Sequence, residues 1–149
     1  MKILVDSNIL LRLAHTTDPQ HQVAMDATTG LLHKKEDLFM VPQNLYEFWA
    51  VATRPLGVNG LGFTVLQVQN EIGKLRRILI LLDETPHVYG QWENLVGAHA
   101  VVGKNAHDTH LVAAMVVHGI SHLLTFNKQD FQRFTNITVM TPAEVMAIP

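Results

Sequence analysis

The chain has 149 residues, of which 48% are hydrophobic and 16% are charged, a composition typical of one folded domain spanning residues 1–149. This composition excludes a disordered tail and a charged coiled coil. The formal net charge of −2 argues against a protein that coats nucleic acid through a broad basic field. Because the chain has no cysteine, it has no disulfide, no thiolate metal site and no cysteine nucleophile.

The opening residues and the hydropathy favour a cytoplasmic protein. The chain reaches the carboxylate of Asp6 after only three consecutive apolar residues, so no signal-peptide core forms. No later apolar run approaches the roughly 18 residues that a membrane-spanning helix needs. We therefore expect a cytoplasmic location and no membrane segment.

Strand-like and helix-like patterns alternate along the chain. Short apolar runs predict strands, and apolar residues at helical spacing predict helices. In chain order we predict a strand at 2–5, a helix after residue 6, a helix at 20–33, a strand at 38–41, helices at 43–53 and 63–77, a strand at 78–82, helices at 86–99 and 107–118, a strand at 122–125, a helical turn at 127–134, a strand at 138–140 and a helix at 142–147.

This alternation predicts an α/β fold. Strands that are separated by helices form a parallel sheet that is covered on both faces. We expect a three-layer α/β/α sandwich around a mostly parallel sheet of about five strands.

Acidic and amide side chains follow the predicted strands. Asp6 comes directly after the first strand, Asp108 begins the helix before the fourth strand, and residues 127–130 follow that fourth strand. Ligand sites in open parallel sheets lie beyond the carboxyl ends of the strands. Converging carboxylates at this edge would suit Mg²⁺ or Mn²⁺, which prefer oxygen ligands. Taken alone, Asp6 could equally be a helix cap and Asp108 a first-turn acid favoured by the helix dipole.

Four segments in this order resemble the PIN-domain family, and within it the VapC-type toxin ribonucleases of type II toxin–antitoxin systems. The resemblance covers nearly the whole chain. The segments that carry it are Ile3-Leu4-Val5-Asp6-Ser7-Asn8, Asn44-Leu45-Tyr46-Glu47-Phe48-Trp49, Ala106-His107-Asp108-Thr109-His110-Leu111-Val112-Ala113-Ala114 and Leu124-Thr125-Phe126-Asn127-Lys128-Gln129-Asp130-Phe131.

The resemblance implies a metal-dependent endoribonuclease that hydrolyses RNA phosphodiester bonds. Asp6, Glu47 and Asp108 would hold one or two Mg²⁺ or Mn²⁺ ions, and the metal would activate water. Asn8 and Thr125 would support Asp6 through hydrogen bonds. The resemblance also implies a homodimer and a cognate VapB-like antitoxin that covers the acidic site.

The sequence gives less direct support for two parts of the expected site, which are Glu47 and the fourth acid. Glu47 lies nearly opposite the apolar stripe of its helix, where a solvated glutamate would ordinarily sit, so its assignment rests on the resemblance. The family commonly has a fourth acid just after the fourth strand, whereas this chain has Asn127 there and Asp130 three residues later. Either residue could complete the site. As contacts to the RNA backbone we expect the basic residues nearest the acids in sequence, which are Arg12, Lys104, Lys128 and Arg133.

Three other functions share single features with this sequence. A HAD-like phosphatase also has an aspartate after its first parallel strand, but the second acid of its Asp-x-Asp pattern is Asn8 here. The pair His107-Asp108 is similar to that of HD phosphohydrolases, which are all-helical. A PIN-like scaffold that binds RNA or protein without cleavage is the alternative suggested by Asn127.

Overall fold

The computed structural model describes residues 1–149 and contains a central sheet of five parallel strands. The sheet order is β3-β2-β1-β4-β5, and every neighbouring pair is parallel. The parallel five-stranded sheet expected from the sequence is therefore confirmed. The strands are β1 (Lys2–Val5), β2 (Asp37–Met40), β3 (Ile80–Leu81), β4 (His122–Leu124) and β5 (Thr138–Met140).

Seven α-helices connect and cover these strands. They are α1 (Ser7–Ala14), α2 (His21–His33), α3 (Pro42–Thr53), α4 (Val65–Ile78), α5 (His87–Ala98), α6 (Asn105–His118) and α7 (Pro142–Met146). Two short 3₁₀ turns lie at Leu56–Val58 and Lys128–Phe131. No helix has both the length and the apolar character required to cross a membrane.

The helices form a layer on each face of the sheet because successive strand residues point to opposite faces. Ile3 and Val5 of β1 pack into a core with α1 to α4 and α7. Leu4, which lies between them, packs into a second core with α5 and α6. The structure therefore confirms the three-layer α/β/α arrangement.

Several predicted boundaries differ from the observed ones by one to three residues, and two of them serve as examples. The strand predicted at 78–82 is shorter because α4 continues through Ile78 and only Ile80–Leu81 pairs with β2. Helix α6 begins at Asn105, two residues before the predicted start, and Asp108 remains in its first turn as expected.

The strand order creates a crevice at the carboxyl end of the sheet. The chain leaves β1 toward β2 on one side and later returns to β4 on the other side, so the connections diverge at this edge. Such a switch point is where open α/β sheets bind their ligands. Asp6 follows β1 and Thr125 follows β4 at this point, and the backbone N–H of Asp6 donates to the carbonyl of Leu124 at 3.0 Å.

Candidate active site

Asp6 lies at the floor of the crevice and is almost completely buried, with 7% of its surface exposed. One carboxylate oxygen accepts a hydrogen bond from the backbone N–H of Ser7 at 2.7 Å, which caps α1. The other accepts from the Thr125 hydroxyl at 2.7 Å and from the Asn8 amide at 3.3 Å. Asp6 is thus a helix cap whose carboxylate is also held from the neighbouring strand.

Thr125 and Asn8 join the ends of β1 and β4 around this carboxylate. The buried Thr125 Oγ1 donates to Asp6 and accepts from Asn8 Nδ2 at 3.1 Å and from the backbone N–H of Asn127 at 3.0 Å. The Asn8 Oδ1 accepts from the backbone N–H of Phe126 at 3.2 Å. This network fixes Asp6 and also sets the direction of the segment that follows β4.

A polar cleft of about 530 Å³ opens at this edge of the sheet. Its lining contains two of the three acids predicted from the sequence, Glu47 and Asp108, together with both candidates for the fourth position, Asn127 and Asp130. The lining residues are Gln43, Tyr46, Glu47, Lys104, His107, Asp108, Asn127 and Asp130.

The carboxylates around this cleft repel one another. Burial raises the pKa of Asp6 to about 6; hydrogen bonds from Thr125 and Ser7 oppose the rise, and the charges of Glu47 and Asp130 add to it. Burial also raises the pKa of Asp108 to about 6, with further contributions from Asp130 and Asp6. The four side chains therefore form one acidic cluster, which we define as Asp6, Glu47, Asp108 and Asp130.

No cation of the chain neutralises the acidic cluster through a salt bridge. The ion pairs of the protein involve other carboxylates, and Lys104 and His107 only moderate the rise in the Asp108 pKa. A like-charged, partly buried group of carboxylates is unfavourable when ionised unless protons or an external cation neutralise part of its charge.

Glu47 reaches the cluster because of how α3 packs. Phe48 and Ala52 are fully buried in the core, and Trp49 packs against that core, so the opposite side of the helix borders the cleft. Burial and the charge of Asp108 raise the pKa of Glu47, while a hydrogen bond from Gln43 opposes this rise. Helix α3 thus has Trp49 toward the core and Glu47 toward the open end of the sheet.

Asn127 and Asp130 both line the cleft, but they differ in their interactions. The Asp130 charge acts on both Asp6 and Asp108. Asn127 contacts Thr125 through its backbone N–H. The 3₁₀ turn at Lys128–Phe131 thus brings an acid into the cluster three residues after the position where the family pattern has one.

Of the four basic residues expected near the acids, Lys104 alone lines the cleft. Arg12 forms an ion pair with Asp18 at 3.3 Å, and Lys128 forms one with Glu144 at 2.6 Å. Arg133 lies 3.1 Å from the Asn105 side-chain oxygen when that amide is oriented to donate to Asp108 at 3.2 Å. Arg12 and Lys128 are therefore engaged in ion pairs with other residues, and Arg133 reaches the site through Asn105.

Sequence reasoning missed Gln43, Tyr46 and Asn105. Gln43 lies one helical turn before Glu47, and the spacing of four residues was the signal that could have found it. Tyr46 is 63% exposed at the cleft. Asn105 begins α6 and contacts Asp108 within the same turn, as described above.

The donor set of the acidic cluster fits a hard divalent cation. Carboxylate and amide oxygens are the ligands that Mg²⁺ and Mn²⁺ prefer, and an open cleft leaves room for the waters that Mg²⁺ retains. In the observed geometry no three acidic or histidine side chains converge closely enough to hold an ion by themselves. The cluster is thus chemically suited to a metal but is not a closed protein cage.

We expect Thr125→Val to destabilise the protein by about 1–3 kcal/mol, because Asp6 would lose a buried hydrogen-bond donor. Thr125→Ser keeps the hydroxyl and should lose less. Urea unfolding at pH 7 measures both changes, and equal stability of the two variants would contradict the role assigned to the hydroxyl.

We expect Asp108→Asn to stabilise the metal-free protein at pH 7.5. A carboxyl whose pKa is raised on folding costs stability above its unfolded pKa, and the cost grows until the pH exceeds the folded value of about 6. Solvent screens this half-buried group, so we expect a gain of about 1 kcal/mol, or about 2–4 °C in Tm.

The gain from Asp108→Asn should disappear at about pH 3, below the unfolded pKa of 3.8, where the wild-type carboxyl is neutral in both the folded and the unfolded state. Thermal unfolding in chelator at the two pH values tests this expectation. Asp37→Asn is the matched control, because Asp37 is exposed at the opposite end of the sheet. An Asp108→Asn variant that is less stable than wild type at pH 7.5 would contradict the expectation.

Solved structures with the same fold include toxin–antitoxin proteins. VapBC2 from Rickettsia felis, bound to a promoter DNA fragment, has 16% identity and a TM-score of 0.66 over 95% of this chain and 98% of that chain. VapBC-1 from nontypeable Haemophilus influenzae has 18% identity and a TM-score of 0.67 over 96% and 99%. Mycobacterium tuberculosis VapC20, a Sarcin-Ricin loop cleaving toxin, has 19% identity and a TM-score of 0.58 over 81% and 86%.

At these identities the structural matches show a shared fold. No curated protein matches the sequence. A family model described as "PIN domain" matches residues 3–137, which is most of the chain. The parallel sheet, the acids at its carboxyl edge and this match agree, and the chain belongs to the PIN domain family.

Proposed function

We propose that this protein is a metal-dependent endoribonuclease that hydrolyses RNA phosphodiester bonds. The observation that carries the proposal is the acidic cluster: Glu47, Asp108 and Asp130 line one cleft, the buried Asp6 lies close enough for its charge to act on Asp108, and none of the four carboxylates forms a salt bridge. Membership of the PIN domain family and the likeness to a VapC toxin described as cleaving the Sarcin-Ricin loop support the same activity.

Asp6, Glu47 and Asp108 are the proposed metal ligands, and Mg²⁺ or Mn²⁺ is the proposed metal. When bound, the metal supplies an activated water and offsets negative charge on the phosphate. Asp130 is the preferred candidate for the fourth acid because its charge acts on two other members of the cluster. The Asn127 side chain can contribute a neutral carbonyl oxygen from the cleft wall.

The other side chains of the site have supporting roles in this proposal. Thr125 and Asn8 hold the Asp6 carboxylate in one orientation through their hydrogen bonds. Lys104 provides the one lysine or arginine of the cleft lining, so we assign it the contact to the RNA phosphate. Arg133, which contacts the Asn105 side chain beside the cleft, is the second candidate for a contact to the RNA phosphate.

We further propose that the protein is the toxin of a VapBC-type pair, forming a homodimer and a complex with a VapB-like antitoxin. The support is that the similar solved structures include VapBC and FitAB complexes. A nuclease with an open cleft would need such a partner to protect the cell that makes it.

A HAD-like phosphatase is less well supported than a nuclease. Its acid/base residue would occupy position 8, where the Asn8 amide donates to Asp6 and accepts from the Phe126 backbone. An inactive scaffold is also less well supported, because Asp130 supplies an acid to the cluster despite Asn127.

The proposal predicts that the purified, partner-free chain cleaves a mixed RNA pool in Mg²⁺ or Mn²⁺ and that a chelator stops the cleavage. Asp6→Asn and Asp108→Asn should each reduce the rate by more than about 100-fold, because loss of even an outer-shell partner costs about 10–100-fold. The rate is measured on end-labelled RNA.

Asp37→Asn is the control for these variants and should cleave at the wild-type rate. A folded wild-type protein that binds RNA but does not cleave it with either ion would favour the scaffold. Cleavage that persists in chelator would contradict the metal-dependent mechanism.

A further inference from the structure

Gln43 links two helices that carry members of the acidic cluster. It lies in the first turn of α3, and its Nε2 donates to Glu47 Oε1 at 2.7 Å. The same Nε2 donates to the backbone carbonyl of His107 in α6 at 2.9 Å. One primary amide therefore contacts the Glu47 side chain and the turn of α6 that carries Asp108.

The third contact of this amide fixes its orientation. Gln43 Oε1 accepts a hydrogen bond from His110 Nδ1, which faces it from the next turn of α6. The Glu47 carboxylate and the His107 carbonyl are acceptors, so the amide must turn its Nε2 toward them. Its oxygen then faces His110, whose Nδ1–H supplies the matching donor.

We infer that Gln43 is a positioning residue for the acidic cluster and that His110 holds its amide in the required orientation. This inference rests on the proposed function. Glu47 is repelled by Asp108, so a donor is needed to hold its carboxylate at the cleft. The amide does this while connecting α3 to α6. If the amide rotated by 180°, its oxygen would face the carboxylate and both donor contacts would be lost.

The role of Gln43 is tested with Gln43→Met, which preserves length but removes the donors. The protein provides a matched control in Gln22, whose Nε2 donates to Asp26 at 2.8 Å with the same spacing of four residues on the exposed face of α2. The probes are Mn²⁺ alone, titrated into the purified chain, and a labelled RNA substrate.

We expect Gln43→Met to weaken Mn²⁺ binding or lower kcat by about 10–100-fold with little change in KM for RNA, as is usual for groups that orient metal ligands. Gln22→Met should behave as wild type. The inference is overturned if Gln43→Met binds Mn²⁺ and turns over RNA as well as an active wild-type protein measured alongside. The proposed function would remain intact in that case.

The role of His110 is tested by rescue. His110→Ala removes the donor to Gln43 Oε1 and should lower Mn²⁺ affinity in the same direction as Gln43→Met. His110→Asn restores an N–H near the Nδ1 position and should recover most of the loss. Equal defects in His110→Ala and His110→Asn would show that the histidine acts through packing and would overturn this part of the inference.

A measurement without metal or RNA separates failure of the contact from failure of the function. In chelator, the double variant Gln43→Met/His110→Ala should lose less Tm than the sum of the two single losses, because the contact between Gln43 and His110 is lost in both single variants and is counted twice in that sum. Additive losses in Tm would overturn the linkage. If the losses are not additive but the wild-type protein neither binds Mn²⁺ nor cleaves RNA, the contact between Gln43 and His110 is supported. The proposed function is then overturned.

Discussion

The structure depends on one electrostatic constraint, the placement of four carboxylates at the carboxyl edge of a parallel sheet, where none of them forms a salt bridge with a cation of the protein. The strand order creates this edge by separating the connections on either side of β1. Asp6 and Asp108 both acquire pKa values near 6, mainly because burial disfavours their charged forms. An external divalent cation is the simplest partner for such a group.

The rest of the site compensates for this unfavourable arrangement. Asp6 obtains three hydrogen bonds, one from the start of α1 and two from the side chains that connect β1 with β4. Glu47 obtains one from Gln43, which in turn contacts α6. The acids are therefore held by neutral donors and not by lysine or arginine. Because the donors are neutral, the negative charge of the carboxylates is free to bind an external cation. The folded protein is less stable for it, as is common at functional sites.

Sequence patterns predicted the architecture because the features that determine it are local. Apolar runs and helical spacing located the elements, and the strand ends identified Asp6 and residues 127–130 as candidates, whereas Thr125 came from the resemblance to the PIN-domain family. Errors appeared where neighbouring elements compete for the same residues, as at residue 78, where α4 continues into the predicted strand. Periodicity could not identify Glu47, because a solvated glutamate and a cleft glutamate occupy the same side of an amphipathic helix.

The remaining features depend on contacts between distant parts of the chain. Lys128 seemed available for RNA, but its pairing with Glu144 joins residues 16 positions apart. The contacts of Gln43 with α6 span 64 and 67 positions, so only the tertiary structure brings them together. The choice between Asn127 and Asp130 likewise required the 3₁₀ turn that brings Asp130 to the cleft.

The central claim is that the acidic cluster binds a divalent cation in place of the protons that it holds near pH 6. Calorimetric titration of Mn²⁺ into the metal-free protein, in two buffers of different ionisation enthalpy, measures the protons released on binding. We predict proton release at pH 6, little release at pH 8, and an affinity that falls as the pH drops below 6. An affinity that does not change with pH, or the absence of binding at pH 8, would contradict it.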